Sequence, residues 1–220
     1  MMILHGSPVS TYTAKLRIAL HAKGLRFEER EPEGGYRSAA WRALQPTGTI
    51  PALEVDGVLL AESEAVVEYL EDAHPTPPLL PGTPLQRAQA RFLARFHDLH
   101  LEPRVRALFA LVRDGARTPA QVQAAAAALQ ERVDLLARLA RPGPFLAGTG
   151  LTVADLGMTV SVPLGALLLD ALGQALRLPP ALQSWLDAAQ IHPAVAAGLA
   201  PWRPATDRWL TTAFVPTVAP

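Results

Sequence analysis

Five prolines crowd one short stretch of the chain: Pro75, Pro77, Pro78, Pro81 and Pro84. A proline ring fixes φ and removes a backbone donor, so neither a helix interior nor a central strand can run through such a stretch. The segment reads as a stiff, extended connector. It divides 220 residues into two parts of different pattern. Before it, strand and helix signals alternate; beyond it, strand signals largely vanish. The expected organisation is a first domain over 1–74, a linker over 75–84 and an all-helical domain over 85–220.

In the first part, Met2-Ile3-Leu4 predicts a short buried strand, broken by Gly6, Ser7 and Pro8. Ser10 to Ala22 predicts a helix, with Leu16, Ala19, Leu20 and Ala22 at near-helical spacing and Gly24 as its stop. Leu25 to Arg30 alternates like a strand. Gly34-Gly35 opens a loop, and Arg37 to Leu44 reads as a short helix. Asp56-Gly57 stands between the apolar runs Ile50–Val55 and Val58–Leu60, a strong two-residue hairpin signature. Glu62 to Asp72 is a helix with Ala65, Val66, Tyr69 and Leu70 on one side. The order β-α-β, helix, β-β-α gives a small mixed sheet with helices on both faces, a thioredoxin-like order.

The second part predicts a long helical stretch from Leu85 to about Asp114, kinked at Pro103. A second helix, rich in alanine, covers Ala120 to Ala140. Thr152 to about Leu169 is apolar almost all round, as the central helix of a bundle is. Shorter helices follow at Pro180 to Gln190 and Pro193 to Leu199. The tail from Trp202 to Pro220, with Trp202, Trp209 and Phe214, is expected to dock on the body. The longest apolar run, Leu156 to Leu169, carries Thr159, Ser161 and Pro163 and is too short and interrupted for a bilayer span.

Twenty basic residues balance twenty acidic ones, which gives no bulk grip on nucleic acid or anionic lipid. There is no cysteine, so disulfides, thiolate metal sites and a cysteine nucleophile are excluded. The start lacks a signal-peptide pattern, and a cytoplasmic protein without nucleic-acid or membrane partners is expected. His97-Asp98-Leu99-His100 with Glu102 suggests metal spacing, but a stable site needs three or four convergent ligands. No metal is assigned.

Four segments, in order along the whole chain, resemble the glutathione transferase superfamily. Ser7-Pro8-Val9-Ser10-Thr11-Tyr12-Thr13-Ala14-Lys15-Leu16-Arg17 is similar to the serine-type active-site segments of the phi and zeta classes. Leu44-Gln45-Pro46-Thr47-Gly48-Thr49-Ile50-Pro51-Ala52-Leu53 resembles the family's Asn-Pro…Val-Pro-x-Leu segment. Ala61-Glu62-Ser63-Glu64-Ala65-Val66-Val67-Glu68-Tyr69-Leu70 resembles its Glu-Ser-x-Ala-Ile-x-x-Tyr-Leu segment. Leu151-Thr152-Val153-Ala154-Asp155-Leu156 resembles its capping segment. The resemblance implies the glutathione transferase fold: an α/β thioredoxin-like domain followed by an all-α domain.

It also implies roles. Glutathione would be co-substrate, and its thiol, with a pKa of ~8.5 when free, must be ionised. A hydroxyl at a helix N-terminus, where the dipole favours negative charge, serves that need. Ser10 is the expected catalytic hydroxyl and also a glutathione contact. Thr11 and Tyr12 are alternatives, Ser7 a weaker one, and a purely local reading makes Ser10 an N-cap. Ile50-Pro51 is expected to be a cis peptide whose Ile50 backbone pairs with the cysteinyl unit of glutathione. Ser63 would hold the γ-glutamyl carboxylate at a helix start, and Glu62 the adjacent ammonium. Thr152 and Asp155 form an expected capping box with a structural role only. His97, His100, Leu101 and Arg104 are candidates for the second-substrate wall.

Conjugation of glutathione to a small hydrophobic electrophile, a detoxification chemistry, is the reaction the motifs favour. A zeta-like isomerase of a maleyl-type diacid is the alternative. Gly34-Gly35 and the first helix lean towards it. Against it, the zeta Ser-Ser-Cys-Ser tetrad reads Ser10-Thr11-Tyr12-Thr13 here. The segment around Pro103 also lacks the glutamines of the zeta version, and Thr159-Val160 replaces the zeta Pro-Gln. Omega-type and beta-type thiol reductases need a cysteine. A non-catalytic interaction module is the reading of a different class. A homodimer is expected by resemblance.

Overall fold

The computed structural model describes residues 1–140 and 142–216. The elements run β1 (Met2–His5), α1 (Thr11–Ala22), β2 (Phe27–Arg30), α2 (Ala39–Leu44), β3 (Ala52–Val55), β4 (Val58–Ala61) and α3 (Ser63–Ala73). They continue with α4 (Pro84–Phe96), a π-helical turn (His97–Leu101), α5 (Glu102–Arg113), α6 (Pro119–Leu139) and α7 (Val153–Ala171). Last come α8 (Pro180–Gln190), α9 (Pro193–Leu199) and α10 (Trp202–Ala213). The chain forms two compact units: Met1–Leu80 with His192–Thr206, and Pro81–Ile191 with Asp207 onward.

The first unit is the thioredoxin-like domain. Its sheet has the order β2-β1-β3-β4. β1 is parallel to β2 and antiparallel to β3, and β3 pairs with β4 as a hairpin. The hairpin turns as its sequence requires: Asp56 and Gly57 both have positive φ, at 50° and 82°, which matches the right-handed twist of the flanking strands. Ile3, Leu4 and Leu53 from the sheet, Leu16 and Leu20 from α1, and Val66 and Leu70 from α3 form its core.

Helix α1 is buried nearly all round, more than an amphipathic helix on one sheet face would be. The reason is α9, which packs on it from far along the chain. Gly198 makes the close approach possible, since a Cβ there would sit 2.8 Å from the backbone nitrogen of Ile18. The residues His192–Thr206 therefore belong to the first unit by contact, although by sequence they follow the helical domain.

The proline connector is a strap as well as a spacer. Lys23 donates to the carbonyls of His74 (2.9 Å) and Pro77 (2.8 Å) and ion-pairs with Glu71. Glu71 accepts from the backbone N–H groups of Leu79 (2.7 Å) and Leu80 (3.0 Å). Leu79 and Leu80 are buried, and the change of unit comes at Pro81.

The second unit is an all-α bundle. The irregularity expected at Pro103 lies just before it, as the π-helical turn between α4 and α5. Pro103 cannot donate to Leu99, and its ring crowds that carbonyl; the wider turn absorbs both effects, with Glu102 N–H reaching His97 O. Helix α7 is the core element, with fourteen of its nineteen residues buried. Its extent, longer than the apolar run alone suggests, makes it long and apolar enough to cross a membrane by length and composition. Here that apolar surface is covered by α4 and α5. The tail expected to dock does so as a helix: Trp209 of α10 lies 4.9 Å from the Phe109 ring, and the Arg113 guanidinium stacks over it. The end of that expectation, 217–220, falls outside the described residues.

Candidate functional site

The sheet register gathers three of the four motif segments. His5 pairs with Ala52, and Ala52 pairs with Ala61. The segments that leave or enter the sheet there are Gly6–Ser10, Ile50-Pro51 and Glu62-Ser63. Neighbouring strands lie ~4.8 Å apart, so these segments stand side by side at one end of the sheet.

Ser10 is the N-cap of α1, with extended φ and ψ of −73° and 126°. Its Oγ accepts from Thr13 N–H at 3.2 Å. The local reading is thus correct, and it leaves room for the other. With its acceptor role filled by Thr13, the hydroxyl keeps its O–H to donate, and it is half-buried at the positive end of the helix. The loop before it is fixed from behind: Arg17 donates to Ser7 O at 3.3 Å and forks onto Glu29 at 2.6 and 2.5 Å. Thr11 is buried, and Tyr12 is half-buried with its ring 5.7 Å from the Lys15 ammonium.

Ile50-Pro51 is a cis peptide, as expected, and precedes the first paired residue of β3. The sequence did not point to its support. The buried Trp41 donates its indole N–H to Thr49 O at 3.0 Å. Gln45 donates to Thr49 Oγ1 at 3.0 Å and accepts from Gly48 N–H at 3.1 Å. A tryptophan in a short helix just before the proline motif is the signal that could have found this brace.

Glu62 is exposed and has a positive φ of 65° without a side-chain cap for α3. A bulky residue in that region stores strain, which collects at functional sites. Ser63 follows as the first residue of α3, 8% exposed, and its Oγ accepts from Lys15 Nζ at 3.2 Å. Lys15 also ion-pairs with Glu64. The basic residue at position 15, among the buried positions of α1, is a second signal that could have found this support.

The expected substrate wall needs correction. His97 and Leu101 are 1% and 0% exposed in the core of the second unit, so neither presents a side chain to any surface; His100 and Arg104 are exposed. His97 is closed into a network: Nδ1 faces Asp98 Oδ1 at 2.7 Å and Nε2 faces Ser161 Oγ at 2.8 Å, while Ser161 donates to Glu102. The outline is that of a Ser-His-Asp triad, but Ser161, His97 and Glu102 are all buried, and a nucleophile needs access. His97 lies in the π-helical turn and faces inward, while the His100 ring stacks on Phe96 at 5.3 Å. Among the described residues, no group of three or more metal-ligating side chains converges.

The capping segment is as expected and more. Asp155 Oδ2 accepts from Thr152 N–H (2.8 Å) and Thr152 Oγ (3.0 Å), and Oδ1 accepts from Leu146 N–H (2.9 Å) and Trp185 Nε1–H (2.8 Å). Burial pushes the Asp155 carboxyl above its ordinary range, while the four donors work in the opposite direction.

Comparisons with known proteins agree with this architecture. Residues 4–78 match the family described as glutathione S-transferase, N-terminal domain. A glutathione S-transferase of Pseudomonas putida is 34% identical over 170 residues, covering 74% of each chain. A maleylacetoacetate isomerase of Pseudomonas aeruginosa is 41% identical over 100 residues, 43% of this chain and 47% of that one. The crystal structure of a maleylacetoacetate isomerase from Anaeromyxobacter dehalogenans, holding dicarboxyethyl glutathione and citrate, superposes with a TM-score of 0.75 at 25% identity. That superposition covers 94% of this chain and 96% of the other. With its strand register, its helical second unit and a relative that matches most of its length, this chain belongs to the glutathione transferase family.

Proposed function

We propose that the protein binds glutathione, ionises its thiol through Ser10 and adds the thiolate reversibly to the double bond of a maleyl-type cis diacid, returning the trans isomer. The observation that carries this reading is Ser10 itself, whose Oγ accepts from Thr13 N–H at 3.2 Å while its O–H remains to donate to sulfur. A charge-assisted O–H···S⁻ bond and the α1 dipole both favour the thiolate. Ile50 would pair through its backbone with the cysteinyl unit, which requires no particular side chain. Ser63 and the uncapped start of α3 would take the γ-glutamyl carboxylate, and Glu62 the ammonium.

Addition of the thiolate turns the double bond into a single bond and leaves an enolate on the neighbouring carbonyl. Rotation and loss of the thiolate then restore the double bond as trans, with glutathione unchanged. The similarity to isomerases shifts the weight towards this reaction, although the motif departures favour conjugation. The sequence similarity to the Pseudomonas aeruginosa isomerase lies in less than half of either chain, so a second reading stands. Thr11-Tyr12 occupies the place of the zeta Ser-Cys pair, which suits a transferase that leaves glutathione on a small hydrophobic electrophile. A homodimer is part of either reading.

Two measurements test this. The first follows thiolate absorbance of bound glutathione across pH, for wild type and Ser10→Ala; a depressed thiol pKa in wild type only is expected. The second supplies a maleyl-type diacid with glutathione. Trans product with glutathione unconsumed supports isomerisation, whereas stoichiometric adduct supports conjugation. No binding of glutathione would overturn both and leave the interaction module.

A further inference from the structure

Two buried ammonium groups tie α1 to α3, and they hold different things. Lys23 pairs with Glu71 and donates to two backbone carbonyls, while Glu71 accepts from two backbone N–H groups. Those contacts account for it as a fastening of the connector. Lys15, 1% exposed, pairs with Glu64, but it also donates to the hydroxyl oxygen of Ser63 at 3.2 Å.

We propose that Lys15 is a positioning residue: it holds Ser63 as a hydrogen-bond donor aimed at the α-carboxylate of the γ-glutamyl group. This rests on the reading that the site binds glutathione. An ammonium has donors only. Ser63 Oγ must therefore accept from it, and the hydroxyl proton turns away from Lys15. A cation on the oxygen polarises that O–H and makes it the stronger donor to an anion.

Stability alone gives a weak reason to keep this ammonium. Burying a charge pair costs desolvation that the pair itself roughly repays, and apolar replacements of such pairs are often neutral. The start of α3 agrees with an anion from outside: Glu62 contributes no side-chain cap, and first-turn N–H groups are the ordinary partners of a carboxylate. Ser10 and Ser63 then follow one rule. The protein supplies each hydroxyl with a donor, Thr13 N–H or Lys15 Nζ, and each keeps its own proton for the ligand.

The test measures calorimetric Kd for two ligands, glutathione and its analogue with 4-aminobutyryl in place of γ-glutamyl, which lacks only the α-carboxylate. Wild type is compared with Lys15→Met, Lys15→Arg and the uncharged pair Lys15→Met/Glu64→Gln, which keeps the experiment usable if the single variant does not fold. Loss of a hydrogen bond to a charged group predicts about tenfold weaker glutathione binding in the methionine variants, with the analogue's Kd unchanged. Lys15→Arg is expected to restore most of the affinity. The glutathione KM rises while kcat at saturation holds. Equal weakening for both ligands, or no weakening at all, would overturn the proposal while glutathione binding by wild type keeps the functional reading intact. Failure of wild type to bind glutathione would overturn that reading and this proposal with it.

Discussion

Helices α1 and α7 begin with the same device and use it differently. Ser10 and Thr152 are both N-caps, each accepting a backbone N–H of the first turn. At α7 the third helical residue is Asp155, which takes the N–H and the hydroxyl of Thr152 back onto its carboxylate. The donors of Leu146 and Trp185 fill the other oxygen. Every polar valence there is spent inside the protein. At α1 the third residue is Thr13, which has no such carboxylate, and the Ser10 proton finds no acceptor among the described residues. A reciprocated cap fastens a helix; an unreciprocated one has a donor to give away. The same residue types thus make a closed structural joint in one unit and a cap with a donor to spare in the other.

The hardest strain on this contrast is Asp155→Asn. Each carboxylate oxygen accepts from two donors, so an amide nitrogen in either place faces N–H or O–H groups. Leaving buried donors unsatisfied costs ~3 kcal/mol, read as a lower midpoint in denaturant titration. Glutathione Kd in the folded fraction should not change, and a change there would break the contrast. Thr152→Ala should cost ~1–2 kcal/mol of stability as an ordinary cap loss, again with no effect on thiol ionisation.

Ser10 separates the two uses of a cap. Ser10→Ala is expected to cost ~1 kcal/mol and Ser10→Gly only a few tenths, because glycine is a tolerable N-cap. Both should abolish thiolate formation equally. Thiolate retained in Ser10→Gly would assign the chemistry to Thr11 or Tyr12 instead.

The smallest effect lies at the other end of α1. Partial burial, and then the Arg17 charge, hold the His21 imidazole below its ordinary 6.5. The unfolded chain then takes up this proton first, so the contribution of His21 to stability falls as pH drops through 6.5 and below. His21→Gln should flatten that part of the stability–pH curve slightly, and an unchanged curve would refute the assignment.

Much of the first unit was legible in the sequence. Asp56-Gly57 dictated its hairpin, Ser10 and Gly24 the two ends of α1, and Ile50-Pro51 the start of β3, because each is a matter of local backbone conformation. The capping segment of α7 was legible for the same reason. The candidate site was legible as motifs, yet its supports were less so: Trp41 stands eight residues before Thr49, but its sequence position alone does not say that its indole meets the Thr49 carbonyl. The expected wall at His97 and Leu101 came from the resemblance, and it failed because both residues stand at helical spacing from the buried Ala94, Val105 and Leu108, on the core side.

The sequence alone determined which elements form and where they begin, since propensity, capping and turn chemistry act over a few residues. Tertiary structure decided what each polar group meets. Ser63 accepts from a lysine 48 residues away, and His97 meets a serine 64 residues away. α1 is covered by a helix from the far end of the chain. The direction of a hydroxyl proton depends on such partners, because an oxygen that accepts from a buried donor must donate elsewhere. The direction of the Ser63 proton is therefore set by a contact that no local window of the sequence contains.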